Sequence, residues 1–329
     1  MSDAGSVPAL TTRPIRYADD GTVFPEDLAA ATRVALGAEA AVLPTPDTSR
    51  EDVALMLALP WVDREGSCFA LDGDDVVGLL RLEVDQHAKV TRVDIHSLPW
   101  PGSEDLRGLL LDRALEVARR HKAESGGPEW KARARGHTTD PTYLSVLRSR
   151  GMSFARRFYR MSIDSDSPLV PDVAPPLPKG VEIVTAHDDT TRRIVHAVDE
   201  ASFAEHWGHT DYPYEDWMEF WNALPSTLDP DDWWLLTVDG TPAAICLLDD
   251  RKASQGDGYV DVLGVLKEFR GRGLAQLLLR RAFVHYRDLG RRTKQLNVDA
   301  TNTTGAVALY EKVGMSPVIV MEAYEHPLD

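Results

Sequence analysis

A short segment with two glycines and two arginines carries the clearest chemical signal in this sequence; it reads Arg270, Gly271, Arg272, Gly273, Leu274, Ala275. It follows a β-branched run, residues 259–266, and precedes a predicted amphipathic helix. Glycines without a Cβ let successive backbone N–H groups turn toward one point. The helix N-terminus adds further donors and the positive end of its dipole. The segment therefore predicts an anion site suited to a pyrophosphate, with the two arginines supplying positive charge.

The glycine spacing alone is a weak signal, because Gly-x-Gly turns between a strand and a helix also occur for purely geometric reasons. A dinucleotide loop requires a third glycine and an acidic residue about 20 positions later. A Walker loop requires a Gly-Lys-Ser/Thr ending. The third glycine and the Gly-Lys-Ser/Thr ending are both absent from the segment.

A second segment, VDATNTTGAVALYEKVGM at 298–315, gives the loop a specific meaning. Together the two resemble the GNAT N-acyltransferases, whose loop reads Arg/Gln-x-x-Gly-x-Gly/Ala and whose second signature places an Asn before a helix with Leu-Tyr-Glu and Gly-Met. The matching residues are Arg270, Gly273 and Ala275, then Asn302, Leu309, Tyr310, Glu311, Gly314 and Met315. The order and spacing of both signatures match the family, and the resemblance covers residues 180–329.

The resemblance implies acetyl-CoA as the acyl donor, no metal, and direct attack of a small-molecule amine on the thioester. It implies that the main chain of Leu263, Gly264 and Val265 pairs with the pantetheine arm, and that an N–H near Val265 stabilises the oxyanion. The loop amides from Gly271 to Ala275 would hold the pyrophosphate, and Asn302 is assigned to the same cofactor site. Tyr310 lies where the family keeps its tyrosine acid, and a phenol holds its proton at pH 7 until the sulfur develops charge.

The general base is less well defined. Asp261 lies two residues before Leu263, so strand alternation predicts that the two side chains share a face. Glu200, Glu205 and His206 lie in an early helical segment that borders the acceptor cleft in this fold. Trp207 lies in the same segment, whose aromatic residues suit a substrate wall; the others are Phe203, Tyr212, Tyr214 and Trp217. Asp261 is the first choice of base, and His206 and Glu200 are the alternatives. Glu200, His206 and Trp207 are also expected to bind the substrate.

The chain repeats its pattern with an offset of about 165 residues, which predicts a duplication. Each half reads β-α-β-β-β-α-β-α-β, which predicts two tandem α/β domains, each with a mixed, mostly antiparallel sheet flanked by helices. Five prolines in residues 164–180 predict an extended linker. The expected organisation is a flexible tail (1–12), a degenerate N-terminal domain (13–163), the linker, and a catalytic C-terminal domain (181–329). The tandem layout resembles two-domain acyltransferases of the mycothiol synthase type.

The first half lacks both chemical features. Aligning the two long helices places Gly102–Arg107, which contains Glu104 and Asp105, opposite the Arg270–Ala275 loop. Two carboxylates there oppose a pyrophosphate. Aligning the last helices places Leu147 opposite Tyr310. We therefore predict one CoA site per chain, in the second half.

The composition fits a globular protein with 43% hydrophobic residues and a net charge of -16. Nucleic-acid binding is not expected, since a phosphate-binding surface needs a basic stripe. No membrane span or signal peptide is predicted, and the two cysteines are expected to be reduced core thiols in a cytoplasmic protein, monomeric or homodimeric. Two other functions stay open: an acyl-CoA sensor without turnover, and transfer of an aminoacyl group from tRNA. The sequence does not identify the acceptor amine.

Overall fold

The computed structural model describes residues 10–125, 129–224, 229–302 and 305–328. The chain forms two compact units, one of Met1–Arg157 with Val320–Asp329 and one of Phe158–Ile319. Most of the predicted tail lies outside the described residues. Thr11 and Thr12, its last two residues, already belong to the first strand.

The first unit contains the predicted series of strands and helices, with two helices where one helical stretch was predicted. Its elements are β1 (Thr11–Pro14), α1 (Pro25–Ala40), α2 (Arg50–Ala58), β2 (Cys68–Asp72), β3 (Asp75–Asp85), β4 (Val90–Ser97), α3 (Ser103–Ser125), β5 (Lys131–His137), α4 (Pro141–Ser149) and the start of β6 (Ser153–Asp164). A capping box between Ser49 and Asp52 starts α2. Strand β1 ends at Pro14, and the next residue, Ile15, is buried in the core.

The second unit repeats this series. Its elements are β7 (Val181–Thr185), α5 (Asp189–Phe203), α6 (Tyr214–Asn222), β8 (Trp233–Val238), β9 (Thr241–Asp249), β10 (Asp257–Val265), α7 (Leu274–Asp288), β11 (Thr293–Asp299), α8 (Ala306–Lys312) and the start of β12 (Ser316–Pro327). A hairpin turn at Asp239-Gly240 joins β8 to β9, and both residues have positive φ.

Each unit has a mixed sheet with one parallel pair of strands. The first follows the order β1-β2-β3-β4-β5 and ends on β12 residues; the second follows β7-β8-β9-β10-β11 and ends on β6 residues. The pairs β4–β5 and β10–β11 are parallel, and the other pairs described within each unit are antiparallel. The predicted fold class is therefore confirmed.

Helices cover both faces of each sheet. Successive strand residues point to opposite faces, so each strand contributes side chains to two cores. In the first unit, α3 and α4 pack with Cys68 and Ala70 on one face, and α1 and α2 pack with Phe69 on the other. In the second, α7 and α8 share a core with Cys246, while α5 and α6 share a core with Ile245. Both cysteines are buried free thiols, as predicted.

The units differ from the predicted boundaries in two ways. Residues 158–164 of β6 pair with β11 of the second unit, whereas Met321–Pro327 of β12 pairs with β5 of the first. The proline-rich segment predicted as a linker lies within the second unit, because Arg281 and Arg287 of α7 donate hydrogen bonds to the carbonyls of Pro175 and Pro171. Backbone pairing therefore divides the chain at positions that proline content does not mark.

Within the described ranges, no helix combines the length and the apolar content needed to cross a membrane.

Candidate active site

The loop before α7 presents unpaired backbone donors at the second unit's surface. Gly271 and Gly273 have φ of 77° and 79°, and a Cβ at either position would meet nothing within 4 Å. Glycine is therefore required here by the backbone conformation and not by lack of space. The first α7 amide that donates to a described backbone acceptor is that of Leu277, to the Gly273 carbonyl at 3.0 Å. The amides ahead of it, from Gly271 to Gln276, donate to no described backbone acceptor and remain available for an anion.

The two loop arginines have different surroundings. Arg270 donates from Nε to the Val265 carbonyl and from Nη2 to the Ser202 carbonyl, both at 3.1 Å. Its Nη1 lies 3.7 Å from Glu205. Arg270 thus ties the loop to β10 and α5, a positioning role that differs from the phosphate contact the sequence suggested. Arg272 is exposed, with its guanidinium 4.9 Å from the centre of the Phe269 ring.

Strand β10 has an open edge beside this loop. Only Asp257–Tyr259 pair with β11, opposite Thr293–Gln295; the later residues of β10 have no partner among the described residues of β11. Parallel strands that separate in this way leave one row of backbone N–H and C=O groups without a neighbouring strand. The predicted pantetheine-binding residues lie in the separated part.

The hydrogen-bond pattern shows which residues face that edge. The Leu266 amide donates to the Ala243 carbonyl of β9 at 3.0 Å. Antiparallel pairs alternate between residues that bond to the partner and residues that face away. Counting back from Leu266, Gly264 bonds toward β9, whereas Leu263 and Val265 face the open edge. The geometry therefore suits the predicted role of these two residues, although Arg270 already occupies the Val265 carbonyl.

Tyr310 lies on α8 with only 8% of its surface exposed. It shares a hydrophobic cluster with Leu263 and Val265, on the face of the sheet covered by α7. Burial raises the pKa of Tyr310, so the phenol keeps its proton at neutral pH. The structure thus brings the predicted acid to the same face as the two predicted pantetheine-binding residues.

Asp261 lies at a β-bulge, which overturns the prediction that it shares a face with Leu263. The register of β10 on β9 shifts between Val260 and Val262, and an extra residue breaks the two-residue alternation. Leu263 packs on the α7 face, and Val262 packs on the α5 face. Asp261 interacts electrostatically with Asp199 of α5, which places it on that side as well.

Asp261 also forms an ion pair with Arg251, whose Nη2 lies 2.8 Å from a carboxylate oxygen. Arg251 also contacts the buried Asp249. The carboxylate that the sequence analysis assigned as the general base is therefore already engaged by a neighbouring guanidinium.

Two residues that the sequence analysis missed lie in this region. Asp199 accepts a hydrogen bond from Trp217 Nε1 at 2.9 Å. Burial, together with the charges of Glu200 and Asp261, raises its pKa to about 6. Ser202, one turn later on α5, is buried, and its hydroxyl has no hydrogen-bond partner among the described residues. The three-residue spacing of Asp199 and Ser202 indicates that they share one face of a helix. Nothing in the sequence indicates that this face packs on β10.

Ser202 also explains why residue 264 is a glycine. A Cβ there would lie 2.9 Å from the Ser202 Cβ and 3.0 Å from its hydroxyl. The close approach of α5 brings the serine hydroxyl directly against β10.

The predicted substrate-binding residues fall into two groups. His206 lies with Asn302, since its Nε2 is 3.4 Å from the Asn302 amide nitrogen, and burial lowers the His206 pKa. Glu200 instead pairs with His209 at 3.3 Å. Asp211 joins that second group, and one ligand atom from each of Glu200, His209 and Asp211 lies within 4.8 Å of the others.

Two of the aromatic residues predicted to line the substrate site, Trp217 and Trp207, differ in their exposure. Trp217 is buried and packs against Trp221 and Trp233 in the core under α5 and α6. Trp207 is partly exposed and packs against Phe158, with ring centres 6.2 Å apart. Trp207 is thus the better placed of the two for contact with a substrate.

The first unit contains the counterpart of this site in the same backbone framework. The Leu98 amide donates to Val77, as Leu266 does to Ala243, and the Met152 amide donates to Leu147, as Met315 does to Tyr310. These matched bonds support both alignments made from the sequence.

The loops themselves differ. Helix α3 begins at Ser103, three aligned positions earlier than α7. The Leu106 amide donates to the Gly102 carbonyl at 3.1 Å, so amides that are free in the second unit are used within a helix in the first. Glu104 and Asp105 lie in that added turn.

Comparison with known proteins identifies acetyltransferases as relatives of this chain. The acetyltransferase (GNAT) family matches residues 193–315. Mycothiol acetyltransferase of Thermobispora bispora is 29% identical over 267 residues, covering 79% of this chain and 84% of that protein. Mycothiol acetyltransferase of Nocardiopsis dassonvillei is 30% identical over 224 residues, covering 62% of this chain and 67% of that protein. The crystal structure of a GCN5-related N-acetyltransferase from Sphaerobacter thermophilus has a TM-score of 0.80 at 21% identity, covering 98% of this chain and 96% of that one.

Proposed function

We propose that this chain, which belongs to the GNAT family of acetyltransferases, transfers the acetyl group of acetyl-CoA to the amine that mycothiol acetyltransferases acylate. The chain is an N-acetyltransferase, and the proposal concerns its acceptor and its residues. The observation that carries it is the open edge of β10 between the free loop amides and Tyr310.

Donor binding follows from that edge. The amides from Gly271 to Ala275 hold the pyrophosphate, with Arg272 beside them. The main chain of Leu263 pairs with the pantetheine arm as an added strand would, and the Val265 amide at the same edge is left for the thioester end of the cofactor. Arg270 keeps loop and strand in register through its bonds to Val265 and Ser202.

The thioester carbon then lies between the two faces of β10. On the α5 face, the carboxylates of Asp199 and Asp261 attract the protonated amine. Asp199 accepts its proton, because a carboxyl whose pKa is near 6 is ionised at pH 7 yet more basic than an ordinary aspartate. Asp261, the first choice of base from the sequence, serves as the second carboxylate and stays paired with Arg251.

The neutral amine attacks the acetyl carbon, and the carbonyl electrons move onto oxygen. The Val265 amide donates to that oxyanion; one such donor contributes roughly 3 kcal/mol. When the carbon–sulfur bond breaks, the thiolate takes the Tyr310 proton from the α7 face. The attacking nitrogen, positively charged after addition, releases its second proton to solvent, and the phenolate regains one proton from solvent. The products are the acetamide and free CoA.

The test is a thiol-release assay on the purified full chain, with acetyl-CoA and a panel of primary amines. The panel includes the substrate of the mycothiol acetyltransferases, its amine-acetylated form as a blocked control, and lysine and spermidine as unrelated amines. We expect that substrate to give the highest kcat/KM by at least tenfold, with mass spectrometry showing one acetyl added. Equal rates across the panel would refute the acceptor assignment. Binding of acetyl-CoA with no release on any amine would identify a sensor.

A further inference from the structure

The first unit contains a cavity of about 180 Å³ that the acyltransfer site does not use. Its walls come from α1, β4, β5 and the first turns of α3 and α4, together with one residue of β12. The polar residues of the lining are Glu39, Asp94, His96, Arg107, Arg135, His137, Asp140 and Tyr143.

The cavity opens where two strands separate. The parallel pairing of β4 and β5 ends at Val93 and Ala134. The next residues of the two strands, Asp94 and Arg135, are the first in the lining. The cavity is therefore the first unit's equivalent of the open edge on β10.

Arg107 lies between this cavity and the position that corresponds to the pantetheine arm of CoA in the second unit. Its Nε lies 3.0 Å from the Ser97 hydroxyl at the end of β4. Its two terminal nitrogens lie 3.1 and 3.0 Å from the carboxylate of Asp140, the N-cap of α4. These bonds bridge the ends of β4 and α4 across the path that pantetheine takes in the second unit, so the cavity suits a small molecule.

The acids of the lining are already satisfied by the protein. Glu39 accepts hydrogen bonds from the amides of Asp47 and Thr48 and from the Thr48 hydroxyl. Asp94 forms an ion pair with Arg81, and Asp140 holds Arg107.

Two groups of the lining are left without partners. The Tyr143 hydroxyl and His137 Nδ1 are buried and have no hydrogen-bond partner among the described residues. Tyr143 is 5% exposed, so water does not compensate its hydroxyl well. A phenol O–H is a donor, and a ligand that supplies an acceptor would satisfy it.

We propose that this cavity binds a small carboxylate, held by the Arg135 guanidinium and the Tyr143 hydroxyl, with His137 at its edge. The Arg135 side chain is exposed and lines the cavity. Desolvation and the nearby Arg92 lower its pKa, so a negative charge beside it would be favourable. A planar guanidinium binds a carboxylate with two parallel hydrogen bonds.

The size and the apolar part of the lining narrow the ligand further. A cavity of roughly 150 Å³ accepts a benzene-sized molecule. Ala38, Val42, Ile95 and Met321 provide an apolar surface opposite the polar groups. The cavity therefore fits a carboxylate with a short aliphatic or single-ring body.

The experiment compares benzoate with benzamide, and propionate with propionamide, by ligand-observed NMR titration of the full chain. Saturating CoA is present throughout, so that the second unit's site is occupied. We expect each carboxylate to bind at least tenfold more tightly than its amide. Equal affinity within the pairs, or no binding under these conditions, would overturn the proposal.

Variants locate the binding. Arg135→Gln should remove the preference for carboxylates, and Tyr143→Phe should weaken benzoate binding about fivefold or more. Arg133→Gln is the matched control: it removes the same charge two residues away on β5, outside the lining, and should leave the affinity within twofold. Arg135→Gln with unchanged affinity would overturn the proposal, and since residue 135 is exposed this variant is expected to fold. Tyr310→Phe should have no effect on benzoate binding.

Discussion

The starts of helices α3 and α7 occupy aligned positions in the two units but present their backbones differently. In the second unit, two glycines with positive φ delay the helix and leave its first amides free. In the first, the helix begins three residues earlier and uses those amides internally, with Glu104 and Asp105 in the added turn. One additional helical turn thus uses, in the first unit, amides that donate to no described backbone acceptor at the aligned positions of the second.

The tyrosines of the two units show a second difference on the same framework. The second unit carries its buried phenol at Tyr310, whereas the aligned residue of the first is Leu147. The first unit has a buried phenol four residues earlier, at Tyr143, on the same face of α4. The buried phenol of one unit thus has, in the other, a counterpart displaced by one turn to the wall of the first unit's cavity.

The largest effect is expected when the first unit's chemistry is placed in the second. Gly273→Asp introduces the residue that Asp105 provides in the alignment. A carboxylate about 4 Å from a pyrophosphate opposes binding by several kcal/mol, so acetyl-CoA affinity should fall at least a hundredfold by calorimetry. Gly290→Asp is the control, because Gly290 has a similar φ of 76° and equally open surroundings. Equal losses in both variants would show that backbone strain, and not charge, weakens binding.

The next largest effect concerns the two tyrosines. Tyr310→Phe removes the proton donor but keeps the ring in the core, so kcat should fall about a hundredfold with acetyl-CoA affinity unchanged. Tyr143→Phe makes the same change in the first unit and should leave kcat within twofold. Stopped-flow thiol release measures both. A Tyr310→Phe enzyme with normal kcat would remove the phenol from the mechanism.

An intermediate effect is expected at Asp199. If it accepts the amine proton, kcat/KM should decline below about pH 6, where the carboxyl becomes protonated. Asp199→Asn should abolish this decline, the acidic limb of the pH profile, and lower kcat/KM about tenfold. Asp261→Asn should lower activity but keep the limb. If Asp261→Asn loses the limb and Asp199→Asn keeps it, the roles of the two carboxylates are reversed.

The same residue predicts an effect on stability. Because the folded pKa of Asp199 exceeds the ordinary value near 4, the folded state binds more protons between roughly pH 4 and 6, and stability falls as the pH rises through that window. Asp199→Asn should therefore stabilise the protein at pH 7 by roughly 1–2 kcal/mol, with little gain at pH 4. Urea unfolding at the two pH values measures the difference. An unchanged or lower stability at pH 7 would contradict the raised pKa.

The smallest effect concerns loop positioning. Arg270→Met removes the bonds to Val265 and Ser202 but no loop amide, so the KM for acetyl-CoA should rise about fivefold with kcat nearly unchanged. Arg107→Met, in the first unit's bridge, should leave this KM unaltered. A change confined to kcat would indicate that Arg270 acts on the reaction and not on the loop.

The sequence predicted those features that depend on local chemistry. The glycines of the loop, the position of Tyr310 and the matched Gly-Met turns follow from residue types at fixed spacing, and the matched hydrogen bonds support that register. The fold class followed from the repeated strand and helix pattern.

The remaining features depend on contacts between distant segments. The bulge that turns Asp261 to the α5 face arises from the pairing of β10 with β9, and no residue type near it marks the shift. The Arg270 side chain binds carbonyls 5 and 68 positions away, so its charge alone suggested the wrong partner. Asp199 gains its raised pKa from burial that a sequence does not display.

The exchange of strand residues between the units has a consequence for biosynthesis. Arg133 on β5 and Glu325 on β12, which form an ion pair across paired strands, are 192 positions apart. At roughly 5–20 residues per second, the ribosome needs about 10–40 seconds to make the intervening chain. Throughout that interval the first unit has an unpaired strand edge, to which a neighbouring nascent chain could pair. Chaperone protection during translation should therefore matter more for the first unit than for the second.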